Sequence, residues 1–190
     1  MAVQKENKVE FGLRNCYYAV ATIGDLGKVE YGTPKKLPGA VSITFDKSGD
    51  LVRFKADDID YYTSANNQGY EGSLNLARVP DEFRIEVLKE KKTTKGVLQE
   101  NSDAQPANIA LMFEFQGDAK ATKHLFYFCT VNRPSVSSTT KDSGEPNTVE
   151  LALAATPRPG DNLVKASTTA ETDDTEYKNW YTKVYEDAGE

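Results

Sequence analysis

The chain has 190 residues and a mass of 21.0 kDa, the size of one ordinary domain. With 38% hydrophobic, 10% aromatic and 27% charged residues, it is too polar for a membrane protein and too aromatic for a disordered one. Lys and Arg number 23 against 29 Asp and Glu, a net charge of −6 that does not by itself condense onto nucleic acid, and two cysteines exclude a disulfide framework.

The opening residues, Met1-Ala2-Val3-Gln4-Lys5-Glu6-Asn7-Lys8, are charged and lack an apolar core, so no secretory leader is expected there. A reducing compartment follows as the simpler setting for the two thiols. From residue 13 the pattern is mostly period two, the mark of half-buried strands. Over 13–21, Leu13, Asn15, Tyr17, Ala19 and Ala21 fall on one face and Cys16, Tyr18 and Val20 on the other. Val41, Ile43 and Phe45 alternate with polar residues, and Val52, Phe54 and Ala56 resume after Asp46-Lys47-Ser48-Gly49-Asp50. Because Gly49 accepts the positive φ of a tight turn, a hairpin is predicted over about 40–56. A strand over 58–64, a turn at Asn66-Asn67-Gln68-Gly69 and a strand holding Tyr70, Leu74 and Leu76 follow.

Pro80 opens a predicted helix, with Asp81 and Glu82 in its first turn, an apolar stripe of Phe83, Val87 and Leu88, and Lys89, Lys91 and Lys92 near its end. Residues 91–107 and 134–147 are polar and read as exposed loops. Further strands are expected at 109–115, 124–131 and 149–153, with a weaker one near 163–166. About eight short strands separated by turns point to a β-sandwich or barrel with one flanking helix. At the end, Asp173 and Glu176 have capping-box spacing. Tyr177, Trp180, Tyr181, Val184 and Tyr185 then fall at i, i+3, i+4, i+7 and i+8, an amphipathic helix too short to stand alone in water. That stripe must dock, either on its own domain or, as its tyrosines and tryptophan also suit, on a neighbouring copy. The predicted organisation is an N-terminal arm over 1–10, a β domain over 11–170 and a C-terminal helical arm over 171–190.

The side chains that usually carry catalysis are scarce. The only histidine, His124, lies in an apolar strand with no positioned nucleophile in view, and reads as structural. Cys16 and Cys129 read as small core residues rather than ligands, and no metal or cofactor site is expected. Gly24-Asp25-Leu26-Gly27 lacks the Lys-Ser/Thr ending of a phosphate loop. Asp46-Lys47-Ser48-Gly49-Asp50 lacks the bidentate glutamate of a calcium loop. Asp57, Asp58 and Asp60 form a solvated acidic face more readily than a catalytic pair. The basic cluster from Lys89 to Lys95 has no interleaved aromatics to stack on bases. A β-rich domain without a candidate active site, with polar arms and an aromatic terminal stripe, points to an interaction or structural module.

Several stretches carry a more specific likeness: Phe11-Gly12-Leu13-Arg14-Asn15-Cys16-Tyr17-Tyr18-Ala19, then Pro38-Gly39-Ala40-Val41-Ser42-Ile43, then Tyr70-Glu71-Gly72-Ser73-Leu74 leading into Pro80-Asp81-Glu82-Phe83. In that order, over about residues 7–165, the chain resembles the major tail proteins, or tail-tube proteins, of long non-contractile-tailed bacteriophages. The resemblance implies a tail-tube β-sandwich with a flanking helix. It implies hexameric rings stacked into a hollow tube through which the genome is ejected, with a long loop and the terminal arms bridging rings. It implies tape-measure, tail-terminator and distal tail proteins as partners, a virion location after assembly in the host cytoplasm, DNA passing without specific binding, and no enzyme activity, cofactor or membrane. On that footing, Asp46, Asp50, Asp57, Asp58 and Asp60 are candidate lumen or ring-contact residues. The tip of the hairpin is the candidate inter-ring loop. Arm 1–10 and the stripe of Tyr177, Trp180, Tyr181, Val184 and Tyr185 are candidate docking elements. Two other readings predict different objects. A monomeric or trimeric binding or decoration module for carbohydrate or protein would show aromatics such as Tyr61, Tyr62 and Tyr70 on a flat face. An enzyme would draw a carboxylate pair from Asp57, Asp58 and Asp60 into a concave pocket.

Overall fold

A computed structural model gives the fold over residues 6–140, 144 and 146–187. Among these residues the chain is mainly β, with two short helices, as the alternation predicts. One long antiparallel sheet carries the domain. Its strands are β1 (Glu10–Ile23), β2 (Val29–Tyr31), β3 (Lys35–Lys36), β4 (Ala40–Ser48), β7 (Gly69–Leu76), β10 (Asn108–Gly117), β11 (Thr122–Val131), β12 (Val149–Ala155) and β13 (Lys165–Ser167). Their order is β2-β1-β10-β11-β12-β7-β4, with β3 beside β1 and β13 beside β11. β5 (Leu51–Ala56) and β6 (Ile59–Ala65) pair only with each other, as do β8 (Lys91–Lys92) and β9 (Leu98–Gln99).

The sheet buries one face in a large core. Leu74, Leu76, Ile109, Leu111 and Leu151 have essentially no exposure, and Tyr18, Phe126 and Cys129 join them. Helix α1 (Asp81–Glu86) closes this core, with Phe83 edge-on to Tyr18 at 4.9 Å and with Val87 and Leu88 buried just beyond its end. Lys35 donates to Glu82 at 2.6 Å and to Glu86, tying β3 to the helix. Both cysteines are buried and free, and burial pushes the Cys16 thiol up to about 12, so they behave as apolar filling. His124 stacks at 5.3 Å on Phe113 and lies 4.9 Å from Phe115, the structural place expected of it.

Four expectations need correction. The alternation over 13–21 is broken, because Asn15 takes φ 48° and the β1–β10 register shifts between Arg14 and Tyr17. That bulge turns Leu13 toward the main core with Cys16 and Tyr18, while Tyr17 and Ala19 face the other side. The predicted 40–56 hairpin does not form. β4 pairs with β7 from Ala40/Leu76 to Ser48/Gly69, and β5 pairs with β6. Lys91 and Lys92 do not end a helix. α1 stops at Glu86 and they begin a small hairpin, β8–β9, inside the stretch read as a loop. The second helix, α2 (Asp174–Asn179), is capped as predicted, Asp173 accepting from Thr175 N at 2.7 Å and Glu176 N at 3.4 Å. It ends before Trp180, so Tyr181, Val184 and Tyr185 continue as turn and irregular chain.

Close backbone approach explains one glycine sharply. Gly69 has φ +100°, and a Cβ there would lie 2.0 Å from the Ala155 carbonyl oxygen, where β7 meets β12. Gly69→Ala is therefore expected to destabilise the fold by about 2 kcal/mol or more, read as a lower urea midpoint.

Candidate assembly surfaces

The outer face of β12, β7 and β4 is built by alternation. Leu74, Leu76, Leu151 and Leu153 point into the core, so their neighbours point out. Three rungs result: Ser42 with Asn75 and Glu150, Thr44 with Ser73 and Ala152, and Asp46 with Glu71 and Ala154. Asn75 donates to Ser42 Oγ at 3.1 Å, which fixes both on this face. The nine side chains are small or acidic, with no Lys or Arg among them. Asp46 and Glu71 stand directly opposite each other, a like-charge cross-strand pair that costs stability. Of the predicted acidic residues, only Asp46 lies on this face. Glu71 and Glu150 were missed, although the alternation of 70–76 and 149–155 could have flagged them.

The other predicted acidic residues follow an arm. Beyond Ser48 and Gly69 the β4–β7 ladder continues through a neck, where Gln68 N donates to Ser48 O at 3.1 Å and Asn66 N to Asp50 O at 3.2 Å. Gly49 holds φ +116° there, and a Cβ on it would lie 2.0 Å from Asn66 O. Asp50 is exposed in this neck. The arm is β5–β6, and its tip is Asp57-Asp58, both at positive φ (53° and 58°) between Ala56 and Ile59, a type I′ turn. Asp60 faces Arg53 at 3.5 Å. Val52, Phe54, Ile59 and Tyr62 are each more than half exposed. The cross-strand pairs Phe54/Tyr62 and Ala56/Ile59 put aromatic and aliphatic groups on one side, while Arg53/Thr63 and Lys55/Asp60 make the other side polar. A two-stranded ribbon with an open apolar side is marginal alone in water. Tyr61 and Tyr62 are exposed on the arm, but Tyr70 is not beside them. Its ring packs on Phe126 at 5.4 Å, so the flat aromatic face of a binding module is not assembled.

The predicted docking stripe straps the opposite half of the sheet. Trp180 and Val184 are buried against Ala19, Ala110, Met112, Leu125 and Tyr127 of the same chain. Tyr181 stacks on Tyr17 at 4.6 Å and donates to Glu114 Oε2 at 3.0 Å, and burial raises its phenol well above the ordinary value. Tyr177 donates to Ala121 O at 2.9 Å, and Lys123 Nζ donates to Tyr177 O at 2.6 Å. Tyr185 stacks on Trp180 at 5.6 Å. Arg158 locks the far end, donating to Glu186 at 2.8 Å and Tyr31 Oη at 3.2 Å and pairing with Asp161. At the other terminus, Asn7 bonds the β10–β11 turn, accepting from Ala119 N at 3.1 Å and Lys120 N at 3.0 Å. Glu10 already belongs to β1, and residues 1–5 of the predicted arm lie outside the described residues.

Among the described residues, several strands have a ladder partner on one side only. β4 ends the strand order, and the first half of β1 pairs only with β10 on one side. Among the described residues no group of three or more His, Cys, Asp or Glu is placed to hold a metal, and no helix is long and apolar enough to cross a membrane. Burial, with Lys165 adding to it and Glu10 opposing it, lowers the His124 pKa from its usual 6.5. The folded state thus refuses a proton that the unfolded chain accepts. Stability is full above about pH 6.5 and is lost as pH falls below it. His124→Phe is expected to flatten the difference in urea midpoint between about pH 7 and pH 5 that the native chain shows.

The phage tail tube protein family matches residues 3–188, nearly the whole chain. The chain belongs to that family. The tail tube family accounts for a structural phage tail protein with a mainly β fold. Among solved structures, this tail tube chain is similar to the sheath/tube terminator of the PVC extracellular contractile injection system in its extended state. The TM-score is 0.50 at 11% identity, covering 85% of this chain and 98% of that one. It is also similar to the tube-terminating cap of the anti-feeding prophage, with a TM-score of 0.47 at 14% identity, covering 89% and 99%. No curated protein matches by sequence.

Proposed function

We propose that this tail tube family protein is the major tail protein of a long, non-contractile-tailed phage, polymerising as stacked hexameric rings whose bore conducts the genome. The observation that carries the reading is the outer face of β12, β7 and β4. Its side chains are small or acidic and without a cation, and it bears the Asp46–Glu71 pair kept against its own repulsion. Such a face turned inward repels DNA phosphates and offers them no cation to pair with, so the genome slides. β4, at the margin of that face, pairs with the next subunit through its free backbone groups, which removes an edge prone to aggregation. A heterologous contact of this kind closes when its rotation divides a full turn. The β5–β6 arm reaches to an adjacent ring, and the docked strap lies on the sheet half away from the bore. Tape-measure, terminator and distal tail proteins are the remaining partners in the virion, after assembly in the host cytoplasm.

Negative-stain microscopy of the purified chain at rising concentration tests the reading. Sixfold rings and tubes are expected. A particle that stays monomeric at every concentration and salt overturns it, and single rings that never elongate assign the chain to the end of a tube instead.

A further inference from the structure

The arm has a second chemistry at its end. Asp57 and Asp58 are exposed on the tip, and neither makes an ion pair with any described residue. The one dense basic cluster of the chain lies elsewhere, on and beside the β8–β9 hairpin. Lys89, Lys91, Lys92 and Lys95 are all exposed, and no ion pair joins them to any described residue. Val97 stands 57% exposed among them. The arm therefore presents an apolar side ending in two carboxylates, and the small hairpin presents exposed Val97 opposite Thr93, with Lys91 on the same side and Lys92 on the other. The two do not meet within one chain.

We infer that the arm tip of one copy seats on the β8–β9 hairpin of a second copy, Asp57 and Asp58 straddling β8 to meet Lys91 on one side and Lys92 on the other, while the apolar side of the arm lies toward Val97. The inference rests on the ring-stacking reading above and names the receiving surface for its arm. A polyanion also suits four exposed lysines, but the cluster carries no aromatic platform for bases, and the arm presents its two carboxylates side by side on a type I′ turn. The contact gives orientation and encounter rate as much as affinity, because opposite charges steer the arm to one end of the neighbour. It weakens in salt, since rim charges are screened within a Debye length.

The test measures the critical concentration for polymerisation by sedimentation, with folding checked by thermal melting. Asp57→Asn with Asp58→Gly keeps the turn, since Asn-Gly suits a type I′ geometry, and removes both charges. That variant and Lys91→Glu with Lys92→Glu are each expected to raise the critical concentration about tenfold. Asp57→Lys with Asp58→Lys, combined with the lysine reversal in one chain and checked for folding by thermal melting, is expected to recover most of the loss. Neutral tips or reversed lysines that polymerise like the native chain overturn the inference, as does a combined variant no better than either half. If the native chain polymerises and loses polymerisation without its arm, yet ignores the lysine reversal, the stacking reading survives and this receiver is wrong. If the native chain never polymerises, the stacking reading itself falls.

Discussion

Trp180→Ala is expected to lower the stability of the folded chain by about 3–5 kcal/mol, the usual cost of emptying a buried aromatic site. Trp180 is 4% exposed and stacks on Tyr185 while covering Ala110, Met112 and Leu125. Adding Tyr181→Ala removes the stack on Tyr17 and leaves the buried Glu114 carboxylate without one of its donors. Since α2 spans only Asp174–Asn179, the strap holds by what it touches rather than by its own helicity. The double variant should melt well below the native chain and expose apolar surface to a hydrophobic dye. A double variant that melts like the native protein and merely fails to polymerise would show that the strap works on a neighbour instead. One that also polymerises normally would remove the strap from both roles.

Removing the arm should do the reverse. Replacing residues 51–65 by an Asn-Gly turn deletes a ribbon whose side chains are nearly all exposed and leaves the β4–β7 ladder intact. The melting temperature is expected to change by only a few degrees, because a surface deletion forfeits little burial. Solubility should rise, since Val52, Phe54, Ile59 and Tyr62 no longer face water. Polymerisation into tubes should be lost at any reachable concentration. The pair of experiments separates the strap from the arm. A large fall in melting temperature on arm removal would mean that the ribbon supports the domain. Undiminished tube formation would remove it from assembly.

Strand alternation was legible wherever the chain stays in register. Tyr70, Leu74 and Leu76, or Leu151 and Leu153, show their faces directly in sequence. The cap at Asp173 was legible too, because an N-cap is settled by residues within one turn. What the sequence concealed is non-local. Nothing near Asn15 announces that it will take a left-handed conformation and turn Leu13 to the other face. Gly49 looked like the apex of a hairpin because the segments flanking it both alternate. The apex is Asp57-Asp58, and Gly49 serves the neck, since β4 is claimed by β7 rather than by its neighbour in sequence. The acidic face had the same difficulty. Asp46, Glu71 and Glu150 are far apart in sequence and meet only through the β4–β7–β12 pairing, so local reading found one of the three. The strap ended early for a related reason: its aromatics satisfy helical spacing, but after Asn179 the sheet surface under Trp180 and Val184 dictates the path.

The neck at Gly49 has a mechanical consequence. Two backbone hydrogen bonds and one left-handed glycine join the arm to a stiff ladder. In a filament linked through such arms, curvature concentrates at these joints while the domains keep their shape. If the arms link rings as proposed, each joint would take a small rotation, and many in series would let a long filament bow without opening its wall. Gly49→Ala, by forcing a Cβ against Asn66 O, would lock that hinge at a new angle, and the filament's persistence length would record the change.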